Sequence, residues 1–342
     1  AQHLVVGEHR GVGIGGDGES VWLGWFLHTT LSEVIPLAEG RGEVAFADRC
    51  REQQRHVLAA LEDSGWDGGW YRRGYFDDGT PLGSASSTEC RIDGIAQSWA
   101  VLSGACRPER GQRAMSEVEK QLVMPQEGVV RLFTPPFDVS DPDPGYIRAY
   151  PPGVRENGGQ YTHGAIWTIF AYAAMGEPAA AARTFGLINP VNHARDVERA
   201  AQYRVEPYVV CADVYSVDPH VGRGGWTWYT GSSGWLYRAG LEAILGIRRE
   251  GDQLVLRPCF PQEWEGVTVN YRFGSSDYVL EFGRAGERAE GEPARAVLDG
   301  QSVIQCVVGG TTPRAGALVS GPEDLRVPLV DDGQRHTVTI RR

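Results

Sequence analysis

Near residue 250 the hydrophobic period of the chain changes, and that change limits what it can fold into. From residue 17 to 247 apolar residues recur at helical spacing; after it they alternate with polar ones, as half-buried strands require. "ESVWLGWFLHTTLSEVI" sets Val21, Trp22, Trp25 and Phe26 on one helix face, and Pro36 is expected to end or kink that run. "EVAFADRCREQQRHVLAALEDSGW" predicts a second helix with Phe46, Cys50, Val57, Leu58 and Leu61 inward and Gly65 just past its end. Further helices are expected from about Asp93, over roughly 110–124, near 161–175 and 177–188, and at about 232–246. Then "DQLVLRP", "GVTVNYRF", "SDYVLEFGR", "ARAVLDG", "QSVIQCVVGG" and "HTVTIRR" read as strands. The expectation is a mainly α domain over residues 1–250, followed by a small antiparallel, sandwich-like β domain over 251–342.

Composition excludes some partners. With 42% hydrophobic and 23% charged residues the chain can bury a sizeable core. A net charge of −11 argues against nucleic acid and anionic membrane surfaces, and leaves a neutral ligand such as a sugar open. Many of the ten Trp and thirteen Tyr lie in loop-like contexts, such as Gly69-Trp70-Tyr71 and Gly225-Trp226-Thr227-Trp228-Tyr229. Flat rings in loops suit the flat apolar faces of sugars; packing at helix ends is the ordinary alternative. The six cysteines, at 50, 90, 106, 211, 259 and 306, form no C-x-x-C pair, so no metal site is expected and reduced thiols are. No stretch approaches the roughly 18 apolar residues of a membrane span, and "AQHLVVGEHRG" lacks a signal-peptide pattern, so a cytoplasmic setting is expected. "GVGIGG" fits G-x-G-x-x-G, but no βαβ pattern follows, so a loop is expected there rather than a dinucleotide site.

Three long loops hold the densest polar-aromatic clusters. In "WYRRGYFDDGTPLGS" Asp77 and Asp78 follow Tyr75 and Phe76. A carboxyl held against rings loses hydration and keeps its proton, as a general acid must; Asp-Asp-Gly-Thr-Pro is equally a good turn. In "YPPGVRENGGQYTHG" Arg155, Glu156 and His163 surround Gly158-Gly159, whose glycines would let backbone approach a ligand. His163 falls near a helix start, where N–H groups favour anions, though a lone His there is more often a structural hydrogen-bonder. In "VGRGGWTWYTGSSGW" Thr230, Gly231, Ser232 and Ser233 open a helix, either as an anion cradle or as simple N-capping.

At these residues the chain resembles glycoside hydrolase family 94, the inverting phosphorylases of β-glucosides. The resemblance runs through "GESVWLGWFL", "WYRRGYFDDGTPLGS", "ECRIDGIAQSWAVLSG", "YPPGVRENGGQYTHGAIW", "LINPVNHAR", "YRVEPYVVCADVYSV" and "HVGRGGWTWYTGSSGWLYRAGLE", over most of residues 18–285. Within the family it is nearest to the phosphorylase-like part of cyclic β-1,2-glucan synthases and to 1,2-β-oligoglucan phosphorylases. The resemblance implies an (α/α)6 barrel and a following β domain. It implies Asp77 as general acid, and phosphate contacts at His163, Thr230 and Gly231. Arg155 would face the sugar or the phosphate, and Glu156, Arg73, Trp70 and Gln97 are further candidates for sugar contact. Inorganic phosphate would be co-substrate and nucleophile, with no other cofactor, and β-glucan would give α-glucose 1-phosphate. About seven helices are legible, against the twelve that an (α/α)6 ring implies, and the family's motif upstream of "GESVWLGWFL" is not found. The chain is therefore expected to be the C-terminal portion of a larger enzyme or a truncated relative, its barrel completed by an N-terminal part or a partner chain, and a homo-oligomer is a further option. The alternatives are a hydrolase with Glu156 as base, and a glucan-binding remnant without activity.

Overall fold

The structure, a computed structural model, describes residues 17–228, 230–261, 263–283, 295–303 and 324–341. The "GVGIGG" loop, Tyr229, Cys306 and the end of the "QSVIQCVVGG" segment lie outside them.

All seven helices expected from the periodicity are present: α1 (Val21–Gly40), α2 (Val44–Asp63), α3 (Gly94–Leu102), α4 (Pro108–Gln121), α5 (Thr162–Ala174), α6 (Pro178–Ile188) and, after two short helices, α9 (Thr230–Arg238). A π-helical turn, Ala239–Ile244, extends α9. The two short helices, α7 (Pro190–His193) and α8 (Val197–Tyr203), were not legible. Start signals are local: Pro opens α4, α6 and α7, where its missing N–H costs nothing, and Asp93 and Asp196 accept from the first free N–H groups of α3 and α8.

Two expectations fail in α1 and α2. Pro36 does not end α1, which runs on to Gly40. The bond Pro36 forfeits, to the Ser32 carbonyl four residues back, lies near the helix end, and α1 stays packed along α2. Phe46 is not inward but 40% exposed. It sits in the first turn of α2, where the Arg49 guanidinium lies over its ring.

The helices form two layers. Neighbour packs on neighbour through α1, α3, α5 and α9, while α2, α4 and α6 back onto α1, α3 and α5. Rings tie the first layer together: Trp22 of α1, Trp99 of α3 and Trp167 of α5 have centroids 5.3–6.2 Å apart. Trp235 of α9 meets Trp167 at 6.1 Å.

From residue 247 on, the described strands make two sheets. In one, β1 (Ile247–Glu250), β2 (Gln253–Leu256) and β7 (Leu325–Pro328) pair antiparallel in that order. In the other the order is β3 (Val267–Phe273), β4 (Ser276–Phe282), β8 (Arg335–Arg341), β5 (Arg295–Leu298), β6 (Gln301–Val303). The β4–β8 pair is parallel, so the second sheet is mixed rather than antiparallel. Among the described residues three strands lie between β4 and β8 before β8 inserts beside β4, a connection that no hairpin signal announces. One apolar cluster runs unbroken from Trp25 through Phe170 and Ile244 to Leu254, Leu280 and Ile340.

Candidate functional site

Asp77 and Asp78 stand at the tip of a hairpin. Gly74–Tyr75 pairs with Glu19–Ser20 on one side and with Pro81–Leu82 on the other. Phe76 accepts from the Gly79 N–H at 2.9 Å and donates to the Thr80 carbonyl at 2.9 Å. The two aspartates thus fill the centre of a turn, and they divide its duties. Asp78 Oδ1 accepts the Thr80 N–H at 2.8 Å, and that bond holds the exposed Asp78 carboxyl below the usual range. Asp77 is half-buried beside Phe76, whose ring lies in a cluster with Phe133, Phe137 and Ile147. The turn's side-chain bond to Thr80 is made by Asp78.

Behind the hairpin, the polar atoms of Trp70 and Gln97 are engaged within the fold. Trp70 Nε1 donates to the Gly83 and Arg91 carbonyls, both at 2.9 Å. Gln97 is fully buried. Its Oε1 accepts from the Tyr71 N–H at 2.8 Å, and its Nε2 donates to the Tyr71 carbonyl at 2.7 Å and the Asp93 carbonyl at 2.8 Å. Through these bonds both residues brace the hairpin. Arg73 pairs with buried Asp93, the residue that caps α3, and its guanidinium lies 5.3 Å from the Phe133 ring.

Tyr146, just ahead of the second loop, lies within electrostatic reach of Glu156 in that loop and of Arg73 in the first. Burial raises that phenol, with Glu156 adding to the shift and the charge of Arg73 opposing it. Arg155 Nε lies 3.4 Å from Glu156 Oε2, with the Arg155 guanidinium 5.5 Å from the Tyr150 ring and 5.0 Å from Trp226. The loop itself requires a glycine at 159. A Cβ on Gly159 would come 2.9 Å from both the Gly153 and Arg155 carbonyl oxygens. Asn157, fully buried, clamps the N–H and carbonyl of Phe137 and the Tyr150 carbonyl.

The residue missed in the sequence is Asp213. It is fully buried and pairs with Tyr161, just ahead of α5. Oδ2 accepts the Arg155 N–H at 3.2 Å and Oδ1 the Trp226 N–H at 3.3 Å. Burial pushes its carboxyl upward, against those N–H groups. Asp213 therefore joins the second loop to the third. Its only sequence signal is a lone acid inside the apolar run "VVCADVY".

His163 lies in the first turn of α5 between two indoles, 4.4 Å from Trp167 and 5.2 Å from Trp235. Burial lowers its pKa, favouring the neutral ring, and Nε2 is buried with no hydrogen-bond partner among the described residues. Thr230 and Gly231 begin α9, are exposed, and nothing stands within 4 Å of a Cβ built on Gly231. The α5 and α9 starts are joined through the His163–Trp235 contact.

Among the described residues no three His, Cys, Asp or Glu side chains converge as metal ligands, and no helix is long and apolar enough to cross a membrane. A depression of about 580 Å³ on α2, lined by Asp48, Arg49, Arg51, Glu52, Gln54 and Arg55, contains none of these residues.

The chain is similar in sequence to known proteins. The chain is 54% identical over 289 residues to cyclic beta-(1,2)-glucan synthase NdvB of Rhizobium meliloti, covering 84% of this chain and 10% of that protein. It is 30% identical over 333 residues to solabiose phosphorylase of Paenibacillus borealis, 97% of this chain and 40% of that one. To 1,2-beta-oligoglucan phosphorylase of Listeria innocua it is 29% identical over 147 residues, 39% and 13% of the two chains. It therefore spans 40% or less of the length of these relatives. A solved wild-type glycosidase is remotely similar, with 17% identity and a TM-score of 0.42 over 66% of this chain and 52% of that one. The model of the glycosyl hydrolase 94 superfamily catalytic domain matches residues 7–246, and the chain belongs to that superfamily.

Proposed function

We propose that this chain takes part in the inverting phosphorolysis of β-glucans, or the reverse synthesis, with Asp77 as general acid and inorganic phosphate as nucleophile. The observation that carries this reading is the division of labour at the hairpin tip. Asp78 accepts the Thr80 N–H and makes the turn, and its neighbour Asp77 stands half-buried beside the Phe76 cluster, a position suited to proton transfer. A phosphate oxygen attacks the anomeric carbon, the glycosidic C–O bond breaks, and the Asp77 proton goes to the leaving oxygen. No second carboxylate is needed, because phosphate replaces the water that a hydrolase must activate. Glu156 is engaged by Arg155 at 3.4 Å, which weighs against it as a base for water.

The start of α9, with Thr230 and Gly231 exposed, offers N–H groups to phosphate oxygens. The unpartnered Nε2 of His163 is the nearby side-chain atom that a phosphate oxygen would satisfy, on displacement of the flanking indole of Trp235. Arg155, Glu156 and Arg73 line the sugar side. Trp70 and Gln97 support them from behind. The helical layers form part of an (α/α)6 ring, and the β domain begins near residue 250. The β-1,2 linkage follows the names of two relatives.

The test is release of glucose 1-phosphate from β-1,2-glucooligosaccharides with and without phosphate. Phosphate-dependent release is expected, falling about 10²–10⁴-fold in Asp77→Asn and by no more than a few-fold in Asp78→Asn, whose amide oxygen can still accept the Thr80 N–H. Equal losses in the two variants would remove Asp77 from its role.

A further inference from the structure

Beyond Arg155, the loop before α9 carries two aromatic rings that the chemistry above does not use. Trp226 is 59% exposed and Trp228 63% exposed, and Tyr208, from the "EPYVV" segment, is 69% exposed. Large apolar side chains so open to water carry a cost unless something covers them. Here the exposure is built in. Trp228 holds a left-handed backbone, φ +61°, which is strained for a bulky side chain. Its indole N–H is fixed to Glu206 Oε1 at 3.1 Å, and its ring stands nearly perpendicular to that of Tyr208, with centroids 6.4 Å apart and planes at 72°. The result is an aromatic corner whose polar edge is already satisfied, leaving ring faces as its open surface.

We propose that the Tyr208–Trp228 corner binds sugar units of a glucan chain outside the cleaved pair, and so sets a preference for longer chains. The proposal rests on the reading of this chain as acting on β-glucan. With its N–H held by Glu206, Trp228 has no donor left for an anion, and its open face suits the C–H face of a pyranose. The corner is also continuous with the site. Trp226 and Trp228 are two residues apart, at most about 7 Å between Cα atoms, and Trp226 lies against the Arg155 guanidinium and shares Asp213 with it. A glucan chain held against Arg155 has this corner as a neighbour.

The experiment is calorimetric titration of the protein in an Asp77→Asn background, which prevents turnover, with a β-1,2-linked disaccharide and with oligosaccharides of about six units. Trp228→Ala and Tyr208→Ala are compared, with thermal unfolding as the fold control. Affinity for the long chain is expected to fall about ten-fold in either variant, one stacked ring's worth, with disaccharide affinity unchanged. Glu206→Gln, which keeps an acceptor for the indole, should bind as the parent does, and Glu206→Ala should not. Equal weakening for both lengths, unchanged binding, or no glucan binding by the parent would overturn the proposal. So would a concentration-dependent dimer abolished by Trp228→Ala, which would assign the corner to self-association. The two readings fail separately. Length-dependent binding without glucose 1-phosphate release would remove the phosphorolysis and keep the corner, and release with no length dependence in Trp228→Ala would do the reverse.

Discussion

Asp77 and Asp78 are adjacent and chemically alike, yet one N–H, that of Thr80, separates their environments. The sequence offered a turn and an acid as alternatives at this tip; the geometry gives the turn to Asp78. Asp213 was invisible beforehand because its importance lies in contacts with Arg155 and Trp226, 58 and 13 residues away along the chain. Gly225 is legible only once Asp213 is seen. A Cβ there would come 2.3 Å from Asp213 Oδ1. Gly225→Ala should therefore force the carboxylate off its two N–H donors and cost about 1–3 kcal/mol, with glucose 1-phosphate release falling more than stability alone explains. Chemical denaturation read beside the activity assay checks this, and an unchanged unfolding midpoint would show that Asp213 tolerates the shift.

Among the elements, the longer helices and the solvent-edge strands were readable because each carries its own period. The pattern Val267, Val269, Tyr271, Phe273 alternates with exposed Thr268, Asn270 and Arg272 in β3 as the sequence implied. The short α7 and α8 were not readable, since four and seven residues hold too little period, and the parallel β4–β8 pair was not, since its partners lie far apart in sequence. Those short helices make a pH prediction. His193, at the end of α7, stacks on Tyr203 of α8 at 4.8 Å and 11°, is 6% exposed, and burial, aided by the charge of Arg199, takes its pKa down to about 4. An unfolded His titrates near 6.5, so between those values the unfolded chain binds the extra proton. Stability is then full above about pH 6.5 and falls toward pH 4, by up to about 3 kcal/mol from this residue. Burial lowers His28 and His163 in the same sense. Thermal unfolding from pH 7.5 to 4.5 should show a steep fall for the parent and a shallower one for His193→Phe, which keeps the stack without the titration. Parallel curves would mean that His193 is not the sensor.

At the scale of the whole molecule, one apolar cluster joins the helical layers to both sheets. Two units sharing a core should melt together, so calorimetry is expected to show a single transition; two resolved transitions would mean that the seam around Ile244, Cys259 and Phe260 contributes little. The same continuity fixes the loops of the site relative to one another, since α5 and α9 both rest on it. The central claim is that phosphate, not water, takes the glucosyl unit from the face opposite the departing oxygen. Phosphorus NMR during the reaction of β-1,2-glucooligosaccharide with inorganic phosphate tests it most directly. The account predicts a growing signal of α-glucose 1-phosphate, absent in Asp77→Asn. The β anomer, or free glucose appearing at a rate indifferent to phosphate, would contradict it.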